Sequence, residues 1–175
     1  FFESNNMTDK IFSLKSLLLQ GEHQSKTALS DFFEKFKNDS IALDKWIAIQ
    51  IESKEFFSKS NETVTSKVKN FLQKSFFSRS NPNRVYALLG TYFFKNMREF
   101  HRGDDSESYE IWVNEILMLD NLNSQLAARL TRSFDGWKNF ESRYQSKMKV
   151  ALETVAKKSK SKDVLEVCTR LLENK

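Results

Sequence analysis

A chain of 175 residues with 39% hydrophobic and 13% aromatic residues is long and apolar enough to bury a sizeable core. Sixteen phenylalanines exclude a disordered chain despite 29% charged residues, and four glycines with one proline leave too few turn residues for hairpin-rich sandwiches or glycine-loop nucleotide folds. The expected fold is all-α, and a net charge of +5 (28 basic, 23 acidic) favours acidic partners over basic ones.

In chain order, Thr8 is the cap candidate of a first helix that carries Ile11, Leu14, Leu17 and Leu18 on one face up to Gly21. Leu29, Phe32, Phe33 and Phe36, spaced by three and four, define a second helix expected to pack antiparallel on the first. A third runs from about Ser40 to Ile51, and Ile41, Leu43, Trp46, Ile47 and Ile51 make it apolar on more than one face, as a central helix must be. Residues 53–61 are polar and irregular around Phe56 and Phe57, and Val64, Val68, Phe71 and Leu72 mark a fourth helix. Asn81 and Pro82 read as the cap and first residue of a fifth, with Val85, Leu88, Leu89 and Tyr92 on one stripe. "HRGDDSES", His101–Ser108, is a loop, and amphipathic helices follow at roughly 109–120, 123–134, 140–158 and 162–173.

About nine short helices joined by short connectors suit an α-solenoid of antiparallel helix pairs, of the HEAT or armadillo kind, better than a four-helix bundle. The single Cys168 has no partner for an intramolecular disulfide, so the expected compartment is reducing and the cytoplasm is its default. No apolar run approaches the roughly 20 residues that span a bilayer. The opening "FFESNNMTDK" lacks a signal-peptide pattern and an initiator methionine, which predicts a piece of a longer chain.

Catalytic signatures are missing from this sequence: it has two histidines, His23 and His101, and no HExxH, Cys/His cluster, phosphate loop or GxSxG. Glu22-His23 is in the wrong order and too short for a zinc site, so no metal ligand and no catalytic residue is assigned to the segment. Arg84 lies in a helical first turn, where the dipole disfavours a cation. It reads either as part of an anion-friendly surface or as one side of a salt bridge within the fold. Gln125 and Arg129 stand four apart on one helical face beside Leu126 and Leu130, with Ala127 and Ala128 suited to close helix packing. A solvated stripe and a cavity lining both fit that pair. Residues 138–162 hold eight Lys and Arg against Glu141 and Glu153. Because Phe140, Tyr144, Met148, Leu152 and Val155 form an ordinary core stripe there, with no stacking aromatics among the basic residues, a solvated face is expected and nucleic-acid binding is not.

Taken together, "NNMTDKIFSLKSLL", "LSDFFEKFKNDSIALDKWIAIQ", "SNPNRVYALLG", "FH", "LDNLNSQLAARL" and "RYQSKMKVALE" resemble, in that order, the C-terminal domain of the aminopeptidase N (alanyl aminopeptidase) family of zinc metallopeptidases. The resemblance runs from about Asn5 to the end of the chain. It implies an intracellular multi-domain enzyme that removes N-terminal residues from peptides with one zinc. The HExxH and GAMEN motifs would lie in a catalytic domain preceding this segment, which binds no cofactor itself. It also implies that residues 1–175 form one domain, a superhelix of paired helices that closes over the active site, encloses a cavity and leaves an access channel. The implied partners are peptide substrates and the catalytic domain of the same chain, with no nucleic acid and no membrane.

By the same resemblance Gln125 and Arg129 approach bound peptide, and Arg84 is carried as a third cavity candidate on the anion-friendly reading above. Two departures stand out. Many relatives place a second arginine where this chain has Tyr86, and the turn after His101 has acidic residues where glycines are usual. The rival expectation is a free-standing α-solenoid adaptor that binds a protein or nucleic acid through its basic C-terminal third.

Overall fold

In the computed structural model, residues 6–20, 22–53, 63–102 and 107–173 are described. Gly21 as a helix stop, the side chain of His23, Phe56 and Phe57 in their polar stretch, and the centre of the loop at 103–106 lie outside the described residues. Helices occupy Met7–Gln20 (α1), Glu22–Phe36 (α2), Ser40–Glu52 (α3), Val64–Leu72 (α4), Pro82–Val85 (α5), Met97–Phe100 (α6), Glu107–Asp120 (α7), Ser124–Thr131 (α8), Ser142–Lys158 (α9) and Lys162–Glu173 (α10), with a π-helix over Tyr86–Lys95. Two 3₁₀ turns, Arg132–Phe134 and Trp137–Asn139, lie between α8 and α9. The helix expected over 123–134 therefore ends at Thr131, and Phe140 precedes its helix rather than opening it. The chain groups into two units, one reaching Phe77 and resuming over Asn83–Glu99, the other formed by Ser78–Pro82 and Phe100–Lys175.

In the first unit α1 is capped by Asn6, not by Thr8. The Asn6 side-chain oxygen accepts the Asp9 N–H at 2.8 Å, and its amide donates to the Asp9 carboxylate at 2.7 Å, while Thr8 already lies inside the helix. Asp39 caps α3 by accepting the Ile41 and Ala42 N–H groups, and Thr63 with Ser66 forms a reciprocal capping box on α4. α3 is central, as its all-round apolar pattern predicts, and buries Leu43, Trp46, Ile47, Ile49 and Ile51. Ile41 is the exception: it is 70% exposed, while its neighbours Ala42 and Leu43 in the same turn are buried. Trp46 organises the core. Its indole N–H donates to the Leu29 carbonyl at 2.9 Å, Phe71 stacks on it at 5.5 Å, and Phe33 and Phe76 meet it at 4.9 and 5.9 Å.

The run after Val85 departs from the expected α-helix. The Asn96 N–H reaches the Thr91 carbonyl, five residues back, at 3.0 Å, and the Thr91 hydroxyl turns toward the Tyr86 carbonyl at 3.4 Å. The predicted stripe of Val85, Leu88, Leu89 and Tyr92 is nonetheless buried, and the π-helix packs on α3 and α4. Asn96 closes it by donating to the Ile51 carbonyl at 2.7 Å, and the Tyr92 hydroxyl pairs with Thr65 at 2.6 Å.

The second unit is regular. α7 packs on α8 and α9 on α10, and α7 also touches α9 as α8 touches α10, which is the arrangement of two stacked helix hairpins. Trp112 lies parallel to Phe134 with ring centroids 4.2 Å apart and donates to the Ser133 hydroxyl at 2.9 Å. Trp137 donates to the Leu171 carbonyl at 3.0 Å. Asp120 accepts the Lys160 and Ser161 N–H groups and the Ser161 hydroxyl, tying the end of α7 to the α9–α10 turn.

Candidate functional site

Asn123 caps α8 through the Leu126 N–H at 3.0 Å, and Leu126, Ala127, Leu130 and Thr131 form its buried face. That burial leaves Gln125 and Arg129, one turn apart, on the opposite, exposed face. Neither side chain makes a hydrogen bond or ion pair among the described residues. Ala127 is fully buried, as close packing of α8 requires. An adjacent amide and guanidinium held on a rigid helix offer donors and an acceptor to an extended chain bearing carbonyls or a carboxylate.

Arg84 is placed differently. It is 6% exposed, paired with the Asp44 carboxylate and donating to the Phe76 carbonyl, so its charge is engaged within the first unit. Five residues earlier Arg79, which the sequence reading passed over, makes a two-pronged pair with Glu115 in the second unit, at 2.8 and 2.7 Å. Glu115 sits on the apolar side of α7, and a carboxylate at such a position is the signal that a buried cation is needed.

A groove of about 410 Å³ runs beside the π-helix. Asp44 and Lys45 from α3 face Tyr86, Gly90, Phe94 and Lys95 across it. Gly90 makes room for Tyr86: a Cβ there would lie 2.9 Å from the Tyr86 ring, which would have to shift. Tyr86, the position of departure from the resembled family, thus rests against the helix it belongs to, and it is 37% exposed. A second groove, in the other unit, lies between α7 and α9 beside Tyr109 and Val150.

The buried titratable groups of the second unit are structural in character. His101 is 7% exposed against Phe100, Phe134 and Phe140, with Nδ1 2.8 Å from the Tyr109 hydroxyl, and burial lowers its pKa to about 4. Burial likewise pushes Cys168 up to about 12, helped by the charge of Asp120, so its thiol is no nucleophile near neutral pH. Desolvation works against the Asp120 carboxylate, but the hydrogen bonds from Ser161 and Lys160 prevail and hold its pKa below the ordinary value. Among the described residues no three of His, Cys, Asp and Glu converge as a metal site requires. Nor is any described helix long and apolar enough to cross a membrane. Lys157, Lys158, Lys160 and Lys162 are exposed around the α9–α10 turn, the solvated basic face that the sequence predicts.

Comparison with known proteins covers nearly the whole chain. The family described as "Domain of unknown function (DUF3458_C) ARM repeats" matches residues 1–173. Aminopeptidase N of Caulobacter vibrioides is 31% identical over 173 residues, and that of Escherichia coli 29% identical over 173 residues. Each match takes in 98% of this chain and 19% of the relative. A crystal structure of Legionella pneumophila aminopeptidase A in complex with aspartic acid superposes with a TM-score of 0.84 at 32% identity, over 97% of this chain and 19% of that one. The chain thus spans about a fifth of the length of these relatives. By sequence and by its helical architecture, the chain belongs to the DUF3458_C family of ARM-repeat domains, homologous to the C-terminal part of aminopeptidase N.

Proposed function

We propose that the chain is the C-terminal domain of a zinc-dependent aminopeptidase, where it encloses the substrate chamber and controls the access of peptides without supplying a catalytic group. The observation that carries this reading is the homology over nearly the whole chain, joined to an exposed Gln125–Arg129 pair with no partner among the described residues. In the reading, zinc and the groups that activate water belong to the rest of the parent. The zinc, when bound there, would supply activation of a water for cleavage of the first peptide bond. Arg129 attracts backbone carbonyls or the terminal carboxylate of a short peptide, and Gln125 adds a hydrogen bond that can donate or accept. Arg84 contributes indirectly, by anchoring the start of the π-helix to Asp44.

In the full-length parent, Arg129→Ala is expected to raise KM for tri- and tetrapeptides by about tenfold, a lost charge-assisted hydrogen bond, while raising KM for an amino-acid arylamide much less. Equal effects on both substrate classes would reject the contact.

A further inference from the structure

We propose that the groove along the π-helix of the first unit binds the C-terminal residue of a peptide. It takes a large apolar side chain between Tyr86 and Phe94, and its carboxylate at Lys45 and Lys95. That the occupant is a peptide rests on the aminopeptidase reading; that it is both apolar and anionic rests on the groove alone.

Residues four and five apart share a face in a helix whose bonds run five residues back, so Tyr86, Gly90 and Phe94 line one side of the groove. At the groove Tyr86 and Phe94 are 37% and 42% exposed. With the Tyr86 ring lying over Gly90, the exposed parts of Tyr86 and Phe94 give the groove an aromatic wall suited to an apolar group. The charges select further. Asp44 is neutralised by Arg84, whereas Lys45 and Lys95 are exposed and make no ion pair or hydrogen bond among the described residues. The rim therefore carries two uncompensated ammonium groups, which a carboxylate complements. At about 410 Å³ the groove lies at the small end of the roughly 300–1,000 Å³ usual for ligand clefts, too small for a partner helix. An internal peptide residue offers either an apolar side chain or a carboxylate. A C-terminal Phe, Leu or Met offers both on one residue.

The test uses the full-length parent and N-acetylated tetrapeptides, whose blocked amine protects them from an aminopeptidase, titrated by calorimetry. The probes are acetyl-Ala-Ala-Ala-Phe as free acid, the same peptide as C-terminal amide, and acetyl-Ala-Ala-Ala-Gly as free acid. The Phe acid is expected to bind about tenfold more tightly than either of the others, the scale of one charge-assisted contact or one buried aromatic ring. The double variant Lys45→Gln/Lys95→Gln should abolish the preference for acid over amide. Tyr86→Ala should abolish the preference for Phe over Gly, each with thermal unfolding checked against wild type.

No binding of the Phe acid, or acid and amide equal within twofold, overturns the proposal. So does an acid preference that survives the lysine changes and disappears in Arg129→Ala, because the carboxylate then sits on α8. A wild-type dimer dispersed by the lysine changes assigns the groove to a second copy and also overturns it. If the parent hydrolyses no amino-acid arylamide, the aminopeptidase reading falls. Failed titrations in a parent that does hydrolyse one defeat the groove alone.

Discussion

The two units bury their charges in opposite styles. In the second, ordinary α-helices form stacked hairpins and nearly every buried polar group is met by a partner of matching geometry: Glu115 by both prongs of Arg79, Asp120 by the α9–α10 turn, Trp112 by Ser133. In the first, the pair of Arg84 and Asp44 holds the start of a π-helix, and the widened run beyond it leaves Tyr86, Phe94 and Lys95 exposed, with Lys45 of α3 across the groove. The regular hairpins pair their buried polar groups internally and keep Gln125 and Arg129 on an outer helical face, whereas the irregular helix keeps two aromatics exposed beside a groove. Arg79 and Arg84 flank the only proline, so a few residues of one motif serve both styles.

The largest effect expected from this contrast comes from the two arginines. Arg79→Ala leaves Glu115, whose side chain is 5% exposed, as an uncompensated buried charge, and is expected to cost about 3–5 kcal/mol in urea unfolding. Arg84→Ala leaves Asp44, 17% exposed and within reach of water, and is expected to cost about 2 kcal/mol. A loss for Arg84→Ala equal to or greater than that for Arg79→Ala would erase the distinction between the units.

Acid sharpens the same comparison, because the described neutral histidine lies in the second unit. The His101 pKa falls from an ordinary 6.5 to about 4 on folding, so between those values the unfolded chain binds the additional proton. The contribution is full above pH 6.5 and is lost as pH drops toward 4, a swing of about 3 kcal/mol. Unfolding curves measured from pH 7 to 4 are expected to be flatter for His101→Gln than for wild type, and parallel curves would show that His101 takes its proton in the folded protein.

The smallest effect belongs to the exposed face of α8. Arg129→Ala is expected to change unfolding free energy by less than about 0.5 kcal/mol, because its side chain has no partner to lose among the described residues. A larger loss would return Arg129 to the fold and remove the reason for offering it to a ligand.

Legibility followed the physics of each element. Helices with apolar residues every three or four positions were readable because burial of one face demands that spacing, and α2, α3, α9 and α10 lie where it places them. Caps were less readable: Asn6, Thr8 and Asp9 all suit a first turn, and only the backbone direction selects Asn6. The π-helix left no mark on the pattern, since its buried residues satisfy an α stripe equally well. Of the three candidate site residues, Gln125 and Arg129 share an exposed face because their spacing dictates it once Leu126 and Leu130 are buried. For Arg84 the sequence left surface and salt bridge open, and the structure supplies Asp44, forty positions away.

The sequence by itself determined the class of fold, the family and the order of the helices, because composition, periodicity and local blocks are properties of neighbouring residues. Only the tertiary structure decided which charges are consumed internally and which remain available. Arg79, Arg84, Lys45 and Lys95 are all cations in the sequence, and what separates their roles is whether a carboxylate distant in the chain is brought within hydrogen-bond reach when the helices pack.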